Sequence, residues 1–159
     1  MKITEIKTYP LAYEGRVSLF IEVLTDNGLK GLGEVGVARM GKAVIAAIEH
    51  LEERLIGEDP WESEKLWQIM FRGNFFPPGV IYSSAISAID IALWDLKGKS
   101  VNLPLYKLLG GPVRNKVVCY PHTQGSTTQE LVENSKRAVD EGWKFVRWGQ
   151  PETHGVFEE

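Results

Sequence analysis

Hydrophobic and polar positions follow two different rhythms along this chain. The first third alternates with a period of two, as half-buried strands do. Residues 3–11 read as a first strand, closed by Pro10 near its end. Residues 17–25, VSLFIEVLT, form a stronger one, rich in β-branched and aromatic residues, with Val17, Leu19, Ile21 and Val23 on one face. Asp26-Asn27-Gly28 then predicts a hairpin turn, because Asn and Gly tolerate the positive φ such turns need. Residues 29–34, LKGLGE, pair back as a third strand, whose Gly31 and Gly33 weaken it and predict a close backbone approach. The expected result is a three-stranded antiparallel meander.

The rhythm then becomes helical. Residues 41–56 place Val44, Ile48, Leu51 and Leu55 on one stripe. A second helix opens with Asp59 as N-cap, Pro60 at the first helical position and Glu62 three past the cap; Trp67, Met70 and Phe71 make its apolar face. GNFFPPG (73–79) is a loop. Residues 80–99 are apolar almost all round, which predicts a helix packed on several sides. A short helix over 102–111 ends at a glycine pair and Pro112.

After Pro112 the pattern changes again. NKVVCYPH (115–122) reads as a strand. A helix follows, started by a Thr127–Glu130 capping box, carrying Leu131, Ser135, Ala138 and Val139 on one face and ended by Gly142. KFVRWG reads as a second strand. Strand, helix, strand is a βαβ crossover and implies parallel pairing. A (β/α)₈ barrel needs roughly 200 residues or more, and far fewer follow Gly111. The expected architecture is therefore a complete α+β domain over 1–111 and the first two strands of a truncated TIM barrel over 112–159.

Composition narrows the function classes. Hydrophobic residues make up 43% and charged residues 25%, which is a folded and not a disordered balance. The net charge of −3 comes with no basic run, so neither a nucleic acid nor a membrane is an expected partner. The longest apolar-rich stretch, 85–96, is too short and too charged to cross a bilayer. A single cysteine, Cys119, excludes an internal disulfide; it reads as an inert core thiol inside a strand, and a cytoplasmic setting is expected. The glycines at 31, 33 and 36 do not have the spacing of a nucleotide loop.

Specific stretches carry a resemblance. SAISAIDIALWDLKGKSVNLPLYKLLGG (84–111) closely resembles the end of the N-terminal capping domain of the mandelate racemase and muconate lactonizing enzyme branch of the enolase superfamily. GLGE (31–34) and LIGEDPWESEKLWQIMFRG (55–73) are similar to the same domain, and the resemblance covers essentially the whole chain. Within the branch, LWQIMFRGNFF and VIYSSAISAIDIALWD look most like the acid-sugar dehydratases, such as galactonate and mannonate dehydratases. The resemblance implies proton abstraction α to a carboxylate, with the enediolate stabilised by Mg²⁺. It implies three carboxylate ligands at the ends of the third, fourth and fifth barrel strands, beyond residue 159, so no metal ligand is expected in this chain and the chain alone is expected to be inactive. It also implies a small acid-sugar substrate and a homo-oligomeric parent. A racemase or cycloisomerase of the same branch, and a non-catalytic binding module, remain the rival readings.

Candidate site residues follow from position and from that resemblance. Arg147 ends the second barrel strand, where barrel enzymes keep their chemistry. The racemases usually carry Lys-x-Lys there; Arg147-Trp148-Gly149 departs from it and looks more like the mannonate dehydratases. A structural ion pair is the competing role. His122 follows the first barrel strand and could bond a sugar hydroxyl or act as an acid, or could simply cap a loop carbonyl. Arg16, read as lying in the loop between the first two strands, and Phe75 and Phe76 match the family's two substrate loops: an arginine for a carboxylate, aromatics for a lid. Asp90 and Asp95 do not share a helix face and read as structural, with Asp90 and Trp94 bonding a neighbouring loop. His50 and His154 carry little weight.

Overall fold

The computed structural model describes residues 1–13, 16–37 and 39–148, with only the backbone of Arg16. The chain divides into two compact units, Met1–Pro112 and Val113–Glu159.

The first unit begins with an antiparallel sheet in the order β1 (Ile3–Tyr13), β2 (Arg16–Thr25), β3 (Lys30–Glu34). Gly28 takes a φ of 85° in the turn, and Thr25 Oγ1 donates to the Leu29 carbonyl at 2.7 Å, which closes the β2–β3 hairpin. One face buries Ile3, Ile6, Leu19, Ile21 and Val23. The β1–β2 hairpin is longer than its sequence suggests. It stays in register from Pro10↔Leu19 to Tyr13↔Arg16. Proline does not close β1, because β1 is an edge strand and an edge tolerates a missing donor. Two corrections follow. Arg16 is the first residue of β2 and not a loop residue. Val17 is 65% exposed and leaves the core face, because this end of the hairpin runs past the helices that cover the rest.

Four helices follow: α1 (Gly41–Glu52), α2 (Ser63–Arg72), α3 (Val80–Ser100) and α4 (Leu105–Leu108). α1 buries Val44, Ile48 and Leu51; it stops before residue 56, but Leu55 is buried in the turns beyond it. The segment Pro60–Glu62 is a 3₁₀ turn, started by Asp59, whose carboxylate accepts from the Trp61 N–H at 3.0 Å. α3 buries Ala85, Ile86, Ala88, Ile89, Ala92, Leu93 and Leu96 and lies at the centre of the unit.

The contact between α3 and β3 explains the two strand glycines. A Cβ at Gly31 would run into the Ala92 carbonyl, and one at Gly33 into the Ala88 carbonyl. α3 also caps the open edge of β3. The Leu32 N–H donates to Asp95 Oδ2 at 2.8 Å, and Lys99 Nζ donates to the Lys30 carbonyl at 2.7 Å. Asp95 and Lys99 bridge each other at 2.6 Å. Two side chains one helical turn apart thus supply the bonds that a fourth strand would have made.

The second unit holds β4 (His122–Thr123), α5 (Thr128–Asp140) and β5 (Arg147–Trp148), with β4 and β5 parallel. Thr127 Oγ1 accepts from the Glu130 N–H at 3.2 Å, the Glu130 carboxylate accepts from the Ser126 N–H at 2.8 Å, and Gly142 ends the helix with a φ of 94°. Both strands are shorter than predicted, because only two residues of each find a partner. Cys119 is corrected accordingly: it lies outside any strand and is exposed.

Candidate functional site

The parallel crossover determines which residues meet. Parallel strands set residues of the same register beside each other, with side chains on the same face. The register pairs His122 with Arg147 and Thr123 with Trp148, and the Arg147 N–H donates to the Pro121 carbonyl at 3.0 Å. The two strand-end candidates are therefore brought together. Both are exposed, as groups that meet a soluble ligand must be.

Around them the site is aromatic. The His122 ring stacks on Tyr120, with centroids 5.7 Å apart and planes inclined by 5°. Residues two apart on an extended backbone share a face, so this partner was readable from spacing alone. Tyr120, Phe145, Val146, Arg147 and Trp148 line an open cleft of about 390 Å³. Behind the strands, Thr123 is 7% exposed, and its hydroxyl lies 3.0 Å from Ser135 Oγ and donates to the Arg147 carbonyl at 3.4 Å.

Arg16, Phe75 and Phe76 belong to the first unit. Phe75 and Phe76 follow α2, 94% and 76% exposed, and pack edge to face at 5.2 Å. Arg16 opens β2 opposite Tyr13; its side chain lies outside the described residues, as do Gly149 and His154. His50 is exposed on α1, 6.3 Å from the Tyr82 ring.

The charged residues of α3 hold structure together. Among the described residues it is Asp95, and not Asp90, that bonds a neighbouring element. The half-buried Asp90 carboxyl is pushed above the usual carboxylate range by burial and then by the Glu64 charge, against the pull of Lys97. Lys97 is buried with its ammonium 2.5 Å from Ser63 Oγ and 4.4 Å from the centre of the Trp94 ring, so a hydroxyl and an aromatic face replace its water. Among the described residues, no three His, Cys, Asp or Glu side chains cluster as a metal site would require. No helix of the described residues is long and apolar enough to cross a membrane.

Comparison with known proteins gives this arrangement its context. The chain is 37% identical over 158 residues to a D-galactonate dehydratase of Verminephrobacter eiseniae, covering 99% of this chain and 41% of that protein. It is 40% identical over 142 residues to a D-galactonate dehydratase of Variovorax paradoxus, covering 89% of this chain and 36% of that protein. An enolase from Pantoea ananatis, crystallised with D-gluconate and Mg, superimposes with a TM-score of 0.85 at 36% identity, over 92% of this chain and 36% of that one. The chain thus spans about two fifths of the length of these relatives. Residues 12–110 match the family described as the mandelate racemase / muconate lactonizing enzyme, N-terminal domain. With a meander, a buried helix and the start of a parallel crossover in that order, the chain belongs to the mandelate racemase / muconate lactonizing enzyme family of the enolase superfamily.

Proposed function

We propose that this chain is the N-terminal part of a sugar-acid dehydratase, a hydro-lyase. Such a reaction removes the proton α to a carboxylate and the hydroxyl from the β carbon, which leaves as water. The enol that remains tautomerises to a 2-keto acid. In this reading Arg147 and His122 are the catalytic residues. The imidazole of His122 can deliver a proton to the departing hydroxyl. The fixed cation of Arg147 matches a carboxylate or enediolate oxygen. Arg16, Phe75 and Phe76 contact the substrate, the arginine through its charge and the phenylalanines as an apolar cover.

The observation that carries the reading is the register pair of His122 and Arg147 on adjacent parallel strands. An acid and a permanent cation side by side at strand ends suit a hydroxy acid better than a neutral ligand. The relatives named D-galactonate dehydratase, and the Pantoea ananatis enolase with D-gluconate and Mg, support the substrate class. The reading extends to a Mg²⁺-dependent, homo-oligomeric whole protein.

The test is turnover by the whole protein on a panel of sugar acids, D-galactonate, D-gluconate and D-mannonate among them, followed as 2-keto acid. Arg147→Ala and His122→Ala are each expected to lower kcat by about 10²–10⁴-fold, the usual loss of a general acid or base. Melting temperatures should change little, because both side chains are exposed. Variants that keep near-wild-type turnover would mark both residues as scaffold.

A further inference from the structure

His122 and Arg147 sit on strands of only two residues each. So short a ladder does not by itself hold two side chains in one geometry. Polar groups lie behind it. The Thr123 hydroxyl reaches the Arg147 carbonyl at 3.4 Å. Ser135 Oγ lies 3.0 Å from the same hydroxyl, and either of the two can donate. Thr123 of β4 thus links Ser135 of α5 on one side to the backbone of Arg147 in β5 on the other.

The next residue of the loop is held as well. Asn134 Nδ2 donates to the Gln124 carbonyl at 2.7 Å. Gly125 is pressed so close to the first turn of α5 that a Cβ there would collide with the backbone of Glu130 and Leu131. Two consecutive helix side chains and one glycine contact therefore hold residues 123–125, immediately after His122.

We propose that Thr123 is a positioning residue, and that with Ser135 and Asn134 it clamps β4, β5 and α5 so that His122 and Arg147 face the ligand together. The proposal rests on the reading of those two as the catalytic pair. Thr123 touches no substrate in it. It acts through the Arg147 backbone on one side and the adjoining His122 peptide on the other.

The stack of His122 on Tyr120 offers a direct readout. The chain has three histidines, so ¹³C-histidine NMR of the 159-residue chain gives a simple spectrum, in which His122→Ala assigns one signal. In the wild type, that signal is expected away from its random-coil position, displaced by the tyrosine ring current. Thr123→Val keeps the shape and removes the hydroxyl; it should return the signal to the random-coil position or broaden it, leaving His50 unmoved. Thr123→Ser restores the hydroxyl and should restore the signal. Ser135→Ala is the second variant, and it favours helix at its position, so loss of α5 would not account for a changed His122 signal. A wild-type signal already at random coil, a Thr123→Val signal like wild type, or a Ser variant as disturbed as the Val variant would overturn the clamp. Full turnover in His122→Ala alongside the expected NMR changes would instead sink the catalytic reading and leave the clamp standing.

Discussion

Asp90 illustrates how one residue can cost stability where it stands. Its carboxyl is half buried on α3, near the Glu64 charge, and its pKa is raised by burial first and Glu64 second. A carboxyl whose folded pKa lies above its unfolded value binds its proton more tightly in the folded chain. Stability then falls as pH climbs from the ordinary aspartate range, about 4, through the raised value, and the full penalty is present above it. Asp90→Asn should therefore raise the melting temperature at pH 7. The gain should be under about 1 kcal/mol, because solvent screens a half-exposed group. The gain should disappear below about pH 3.5, where both states carry the proton. Thermal melts of both proteins across that range would show it, and a loss of stability at pH 7 would mean that Asp90 holds a favourable partner. The sequence placed Asp90 and Asp95 on different faces correctly but assigned the bonding role to the wrong one. Spacing on a helix tells which residues share a face; which face meets β3 is decided by tertiary packing.

At the scale of elements, the meander was legible because alternation, a turn and the two glycines agreed. The end of β1 was not, since a proline reads as a stop unless the strand is known to be an edge. Residues 115–121 misled for the opposite reason. Val117 and Val118 have strand propensity, yet both are exposed and unpaired among the described residues, and a strand without a ladder is not one. The α3–β3 contact was foreseen only as closeness; Asp95 and Lys99 as edge caps needed the structure. That contact gives the element-scale prediction. Gly33→Ala places a methyl group against the Ala88 carbonyl, a backbone atom in the middle of a buried helix. Either the sheet or α3 must move, and overpacking of this kind costs typically about 1–3 kcal/mol. Gly28→Ala is the contrast: its added Cβ has open space, and its cost comes from the φ of 85° alone. Urea unfolding monitored by tryptophan fluorescence should show Gly33→Ala lowering the midpoint. A midpoint equal to wild type would mean that the helix and sheet are packed less closely than described.

At the scale of the whole chain, the two units differ in how much they bury. In the first, nineteen apolar residues among those described form one contiguous core around α3. In the second, the buried residues among those described are Leu131, Ala138 and Thr123, while Val132, Val139 and Trp148 are exposed on α5 and β5. Burial of apolar surface is the main favourable term in folding, and local opening is easiest where it is least. The strand-end pair therefore stands on the unit that buries less, and the hydroxyl clamp proposed for it is one that no sequence period announces. Isolated Thr, Ser and Asn residues in a helix or loop read as surface until the fold sets them against one another. Amide exchange on the 159-residue chain should rank the units accordingly. Protection should be greatest over Val80–Ser100 and lower, by at least about tenfold for each 1.4 kcal/mol of easier opening, over Thr128–Asp140 and at the β5 amides. Within the second unit, the Arg147 N–H, bonded to the Pro121 carbonyl, should outlast the amides of Lys144, Phe145 and Val146, which have no backbone acceptor among the described residues. Thr123→Val should lower that one protection and leave the α3 values unchanged. Equal protection in α3 and α5 would mean that the second unit draws stability from a source other than its own buried residues, and the ranking by burial would fail.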